Sequence, residues 1–212
     1  MTDVLLGQAY YLRFDPKLWD ARQPYAPLGA LYAASCLRER GVRVALFDAM
    51  LAESESEWDA ALDRVRPKLA VLYEDSFNYL SKMCLRRMRE AAFTMIDAAL
   101  ARGCAIVVAG SDATDHPDLY LARGALAVIA GEGEQTLTEL AAALTQASGA
   151  PLESIPGLVL RRRDGSLART PPRAFTRDLD SLPLPAWDLV DVDRYRRIWR
   201  GRHGSRLNAF HV

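Results

Sequence analysis

An excess of charge of either sign is missing from this sequence, which sets 27 basic side chains against 27 acidic ones over 212 residues. A balanced chain has no electrostatic reason to seek nucleic acid or an anionic membrane surface, and neither is expected as a partner. Basic runs do occur at Arg161, Arg162 and Arg163, and again from Arg194 to Arg202, but acidic residues interleave with both and they read as solvated faces. Long apolar runs are missing too, since none approaches the roughly 20 residues that span a bilayer. Cysteine is scarce: Cys36, Cys84 and Cys104 lie far apart, with no metal-ligand spacing. An odd count without a signal-peptide pattern predicts free thiols in a reducing cytoplasm.

Familiar phosphate cradles are also absent. No G-x-G-x-x-G follows the first apolar run, and G-x-x-x-x-G-K-S/T occurs nowhere. A phosphoryl-accepting receiver domain calls for acids at the end of the first strand, where Gln8-Ala9-Tyr10 stands instead. Of the three histidines, His116 precedes Pro117 and reads as a loop residue, while His203 and His211 are isolated. No residue is assigned as a metal ligand.

What the sequence does contain is alternation. Apolar runs at Val4 to Leu6, Val42 to Phe47, Leu69 to Tyr73, Ala105 to Ala109 and Leu126 to Ala130 are each bounded by Gly, Pro or Asp. Continuous apolar character is the mark of strands buried on both faces. Helical patterns lie between them at Leu28 to Arg40, Trp58 to Val65, Leu80 to Arg102, Pro117 to Ala122 and Gln135 to Leu144. Such spacing predicts an α/β fold, a five-stranded parallel doubly wound sheet of Rossmann-like or flavodoxin-like type. After Ser148 the pattern changes. Leu158 to Leu160 and Leu167 to Thr170 flank Asp164-Gly165, a strong hairpin signal. The proline-bearing stretch from Asp178 to Asp188 reads as a linker, Asp191 to Trp199 as a short helix, and Leu207 to Val212 as a strand. The expected organisation is an α/β domain over 1–148, a β-hairpin over 149–176, and a linker with the start of a further domain over 177–212.

In an open α/β sheet ligands bind beyond the carboxyl ends of the strands, so the five loops there hold the candidate site. The first runs from Gln8 to Gly29 without a recognisable helix, and carries Tyr10, Tyr11, Trp19, Tyr25 and Pro27. Loops of that length are usually functional, although the aromatics also suit a surface loop folded over the sheet. The second carries Asp48 and Met50, and the third Asp75, Ser76 and Asn78, where Asp75 or Ser76 also suits a helix cap. The fourth opens with Gly110-Ser111-Asp112 and the fifth is Gly131-Glu132-Gly133-Glu134. Glycine directly after a buried strand lets a ligand approach the backbone, and a following helix offers its N-terminal amides.

Taken in order, these segments resemble a known family. Pro27-Leu28-Gly29-Ala30-Leu31-Tyr32, Val107 to Thr114, Ile129 to Glu134, and the prolines around Pro183-Leu184-Pro185-Ala186-Trp187-Asp188 are similar to the cobalamin-binding domain of class B radical S-adenosylmethionine enzymes. The resemblance implies a cobalamin on the C-terminal edge of the sheet, contacted by Gln8, Tyr10, Pro27, Gly29, Asp75, Ser76, Asn78, Gly110, Ser111, Asp112, Gly131, Glu132 and Gly133. It implies a following domain that binds a 4Fe-4S cluster through C-x-x-x-C-x-x-C and cleaves S-adenosylmethionine, with methyl transfer the commonest reaction. No such cysteine motif occurs in these residues, so the chain reads as the cofactor-holding piece of that enzyme, inactive alone. D-x-H-x-x-G is absent after the first strand, so no histidine is expected on cobalt. A free-standing corrinoid carrier or sensor, or a nucleotide-binding half-domain, are the alternative readings.

Overall fold

The computed structural model describes residues 2–74, 85–145 and 150–204. Seven strands form one sheet: β1 (Val4–Gly7), β2 (Val44–Leu46), β3 (Leu69–Tyr73), β4 (Ala105–Ala109), β5 (Ala127–Ile129), β6 (Leu158–Arg161) and β7 (Leu167–Arg169). Their order is β2-β1-β3-β4-β5-β6-β7. The first five are parallel, as expected from their continuous apolar character. The five-stranded expectation is corrected to seven, because β6 pairs antiparallel with β5 through Val128↔Val159 and Ile129↔Leu158. A two-stranded hairpin is marginal alone, and the free edge of β5 offers the partner it needs.

Helices cover both faces. On one side lie α2 (Leu28–Glu39) and α7 (Glu134–Thr145); on the other are α3 (Ser56–Val65), α4 (Leu85–Leu100) and α6 (Pro117–Ala122). Strand side chains alternate between these layers. Val4 and Leu6 pack with Ala30, Ala33, Ala34 and Leu37 of α2, whereas Leu5 packs with Trp58 and Met95. The indole N–H of Trp58 donates to the carbonyl of Met95 at 3.0 Å, so its one polar atom is satisfied in the core. The part of the predicted helix before Leu85 lies outside the described residues, as does the predicted strand from Leu207 to Val212.

Two short helices were not foreseen: α1 (Pro16–Ala21), inside the long first loop, and α5 (Ser111–Asp115), directly after β4. The sequence signal for α1 is present, since Asp15 caps the N–H of Leu18 at 3.0 Å and Pro16 opens the first turn. The linker crosses α2, held by Ser35 Oγ donating to the carbonyl of Leu184 (2.7 Å) and by Arg38 on Asp188 (2.8 Å). It ends in α8 (Val192–His203), capped by Asp191, with its buried Tyr195 packed beside Tyr10, Leu31 and Met50. No described helix is long and apolar enough to cross a membrane.

Candidate cofactor-binding edge

The sheet order places β1 between β2 and β3, so the order of the strands reverses between β1 and β3, and the carboxyl ends of these two strands are where a fold of this kind takes its ligand. Gly7 lies opposite Leu72, which brings Gln8 and Tyr73 side by side just past the ladder. The backbone N–H of Ala9 donates to Glu74 Oε1 at 2.7 Å and ties the two strand ends together. Gln8 is 0% exposed, and among the described residues neither its amide nitrogen nor its amide oxygen has a hydrogen-bond partner.

Tyr73 organises the rest. Its hydroxyl donates to Glu134 Oε1 at 2.9 Å, at the first residue of α7. Burial and then the Glu134 charge push its pKa well up, so it stays a phenol and a donor. A Cβ on Gly133 would lie 2.6 Å from the Tyr73 hydroxyl oxygen, and a Cβ on Gly29 3.4 Å from the ring. Gly29, in the first turn of α2, and Gly133, in the turn before α7, therefore meet on one side chain. Tyr73 was missed because it reads as the last residue of a buried strand; a phenol there, followed by Glu74, was the signal.

The glycines differ in kind. Gly110 has φ +139°, and a Cβ there would sit 2.6 Å from Cβ of Glu74. Close packing of strand ends thus requires that glycine whether or not a ligand binds. Gly131, with φ +84°, is exposed, and nothing would lie within 4 Å of its Cβ. The backbone at Gly131 is open to an approaching molecule.

Other expected residues have their side chains engaged in the fold. The Asp112 carboxylate takes a bidentate pair from Arg89 (2.7 and 2.5 Å) and the hydroxyl of Tyr120 (2.6 Å) on the α4–α6 side. Tyr10 donates to Asp15 at 2.8 Å and stacks on Tyr25 with ring centroids 5.6 Å apart, holding the long loop closed. Glu132 accepts the N–H of Thr176 at 2.7 Å and ties the linker to the turn after β5. The first turn of α7 carries an acid, Glu134, which disfavours an anion at that helix end. Pro27 is the N-cap of α2, and Ser111 opens α5, half-buried. Asp75, Ser76 and Asn78 lie outside the described residues.

Asp48, at the end of β2, accepts the hydroxyl of Tyr195 (2.8 Å) and the N–H of Met50 (3.2 Å). Burial pushes its pKa up to about 6, opposed by those donors and by Arg194. The sequence flagged Asp48, but not that α8 would fold back on it. His116 is exposed between α5 and α6, and no group of three His, Cys, Asp or Glu among the described residues is arranged to hold a metal.

No family model matches the chain. An uncharacterized methyltransferase from Pyrococcus horikoshii is 27% identical over 179 residues, covering 80% of this chain and 35% of that protein. Among solved structures, the cobalamin-dependent S-adenosylmethionine radical enzyme OxsB, with aqua-cobalamin and S-adenosylmethionine bound, matches 93% of this chain and 25% of its own, at a TM-score of 0.73 and 17% identity. The radical S-adenosylmethionine methyltransferase TsrM from Kitasatospora setae, with cobalamin and a 4Fe-4S cluster bound, matches 93% of this chain and 38% of its own, at a TM-score of 0.64 and 20% identity. The chain thus has the fold of one segment of these cobalamin-dependent radical enzymes, and the resemblance read from the sequence holds at the level of the fold. It spans well under half the length of each of these three proteins.

Proposed function

We propose that this chain is a cobalamin-binding module of a radical S-adenosylmethionine enzyme, with methyl transfer as the reaction class. The observation that carries the reading is the fold match over 93% of the chain to OxsB holding aqua-cobalamin. The edge described above suits such a guest. It offers an unpartnered buried amide at Gln8, open backbone at Gly131, and half-exposed backbone at Gly29. These groups hold a cofactor by hydrogen bonds and shape, and none is an imidazole or thiolate that would ligate cobalt.

Cobalamin, when bound, supplies a cobalt able to carry a methyl group. This chain's contribution is to bind the corrin, orient it on the strand ends and exclude water from its buried side. The binding unit is the α/β body over 1–148, joined by the hairpin over 149–176 to the linker over 177–212. These 212 residues contain no C-x-x-x-C-x-x-C, so the 4Fe-4S cluster and S-adenosylmethionine are assigned to a radical domain of the same protein, the principal partner. The methyltransferase description of the Pyrococcus horikoshii relative supports the reaction class. Titration of the chain with hydroxocobalamin, followed by absorbance and equilibrium dialysis, is expected to show saturable one-to-one binding. A folded chain that retains no cobalamin would overturn the proposal.

A further inference from the structure

Gln8 is fully covered, yet neither polar atom of its amide has a partner among the described residues, a rare condition in a folded protein. Leaving such a group unmade opposes folding, so its presence calls for a partner that the described residues do not supply. Its placement is defined by the strand it follows. A Cβ on Gly7 would strike Trp58 at 2.8 Å on the α3 side, so the next residue faces the opposite layer, that of α2. Leu6 already packs there with Ala30, and Gln8 follows Leu6 by two residues toward the carboxyl edge, on the side of the sheet that α2 covers. That turn has no side-chain cap and no acidic residue, and it is half-exposed at Leu28 and Gly29. Among the described residues, the ring edge of Tyr73 is what lies under Gly29.

The two orphaned atoms define the chemistry of the partner. A carboxamide presents donors at nitrogen and an acceptor at oxygen. A phosphate would satisfy the nitrogen and leave the oxygen facing negative charge. A cation would do the reverse. A second primary carboxamide satisfies both at once, in a cyclic pair of N–H···O bonds, and its remaining lone pair can take a donor from the uncapped turn of α2. We infer that Gln8 is a specificity-determining residue of the edge, which recognises a primary carboxamide on the rim of the corrin. This rests on the cobalamin reading and adds to it the group that is read.

The test uses the whole chain, two corrinoids and one variant. Hydroxocobalamin carries the rim amides and the nucleotide tail; diaquacobinamide carries the rim amides alone. Gln8→Met keeps length and volume but removes the unpaired amide. It is expected to leave the thermal midpoint of the free protein unchanged or raised. Dissociation constants for both corrinoids are expected to rise about 10- to 100-fold, by the same factor for each. A lower midpoint or loss of folding would mean that the amide is already satisfied in the free protein, and would overturn the inference. So would equal affinity of the variant and the natural chain, with the cobalamin reading left standing. A loss seen with hydroxocobalamin but not with diaquacobinamide would place the partner on the nucleotide tail and overturn it as well. If the natural chain binds neither corrinoid, the cobalamin reading and this inference fall together.

Discussion

Tyr73 and Glu134 are hydrogen-bonded at 2.9 Å across 61 residues of sequence, and that one bond closes the end of β3 against the first turn of α7. Replacing Tyr73 with Phe removes the donor and leaves the acid beside an apolar ring. Stability is expected to fall by about 1–2 kcal/mol, read as a lower urea midpoint. Corrinoid affinity is expected to weaken with it, since the turn at Gly131 to Gly133 loses its anchor.

Two glycine substitutions separate packing from access. Gly110→Ala places a methyl 2.6 Å from Cβ of Glu74 on a backbone with φ +139°. A loss of about 2–3 kcal/mol is expected from strain and overpacking together. Gly131→Ala meets open space and carries only the penalty of positive φ, about 1 kcal/mol. Denaturation midpoints falling in the opposite order would contradict the geometry.

Arg89 and Asp112 form a half-buried charge pair completed by Tyr120. Burial alone would raise the Asp112 pKa, but the Arg89 and Tyr120 bonds outweigh it and hold the carboxyl below its usual value. Its contribution to stability is therefore present above the unfolded pKa and lost as pH falls through the lower folded value. Arg89→Leu strands the carboxylate and is expected to destabilise by about 3 kcal/mol at pH 7. Without Arg89, burial is expected to raise the Asp112 pKa above its unfolded value, so in the variant stability should instead fall as pH rises through that higher value.

Asp48 behaves in the opposite sense. Its folded pKa of about 6 lies above the ordinary 3.8, so the fold favours the protonated form. That contribution is complete below about pH 4 and is lost as pH rises through about 6. Asp48→Asn keeps an acceptor for Tyr195 and is expected to gain about 1 kcal/mol at pH 7 and to flatten the dependence between those values. An unchanged pH profile in the variant would rule this out.

Electron paramagnetic resonance of cobalamin bound in its reduced cobalt(II) form is expected to show no histidine nitrogen splitting. His116 is exposed on the rim between α5 and α6. Splitting that survives removal of the cofactor's own base and disappears in His116→Ala would overturn this.

The parallel strands were legible because residues such as Leu69 to Tyr73 are buried on both faces and leave a continuous apolar signature. The hairpin was legible from Asp164-Gly165, but its pairing with β5 was not, since nothing local in Leu158 to Leu160 names a partner strand. At the site, the open backbone of Gly131 agrees with what a glycine after a strand suggests. Gly110 looked alike in sequence, yet its glycine is demanded by Glu74, a contact made only when β3 and β4 lie side by side. Asp112 drew notice as a loop acid, whereas its partners Arg89 and Tyr120 come from two other elements. Long-range pairing decides such cases, and a single sequence does not carry it.

Both margins of the sheet are three residues long, β2 on one side and β7 on the other. Arg43 leads into β2, held to Asp3 at 2.9 Å. Arg169 ends β7, and Pro171-Pro172 follow almost at once, which removes two backbone donors. A foreign chain seeking to add a strand would find a short, cationic rim that soon runs out of N–H groups. The antiparallel hairpin therefore caps the ladder that β5 would otherwise leave open, and protects the sheet from cross-chain templating and amyloid-like growth.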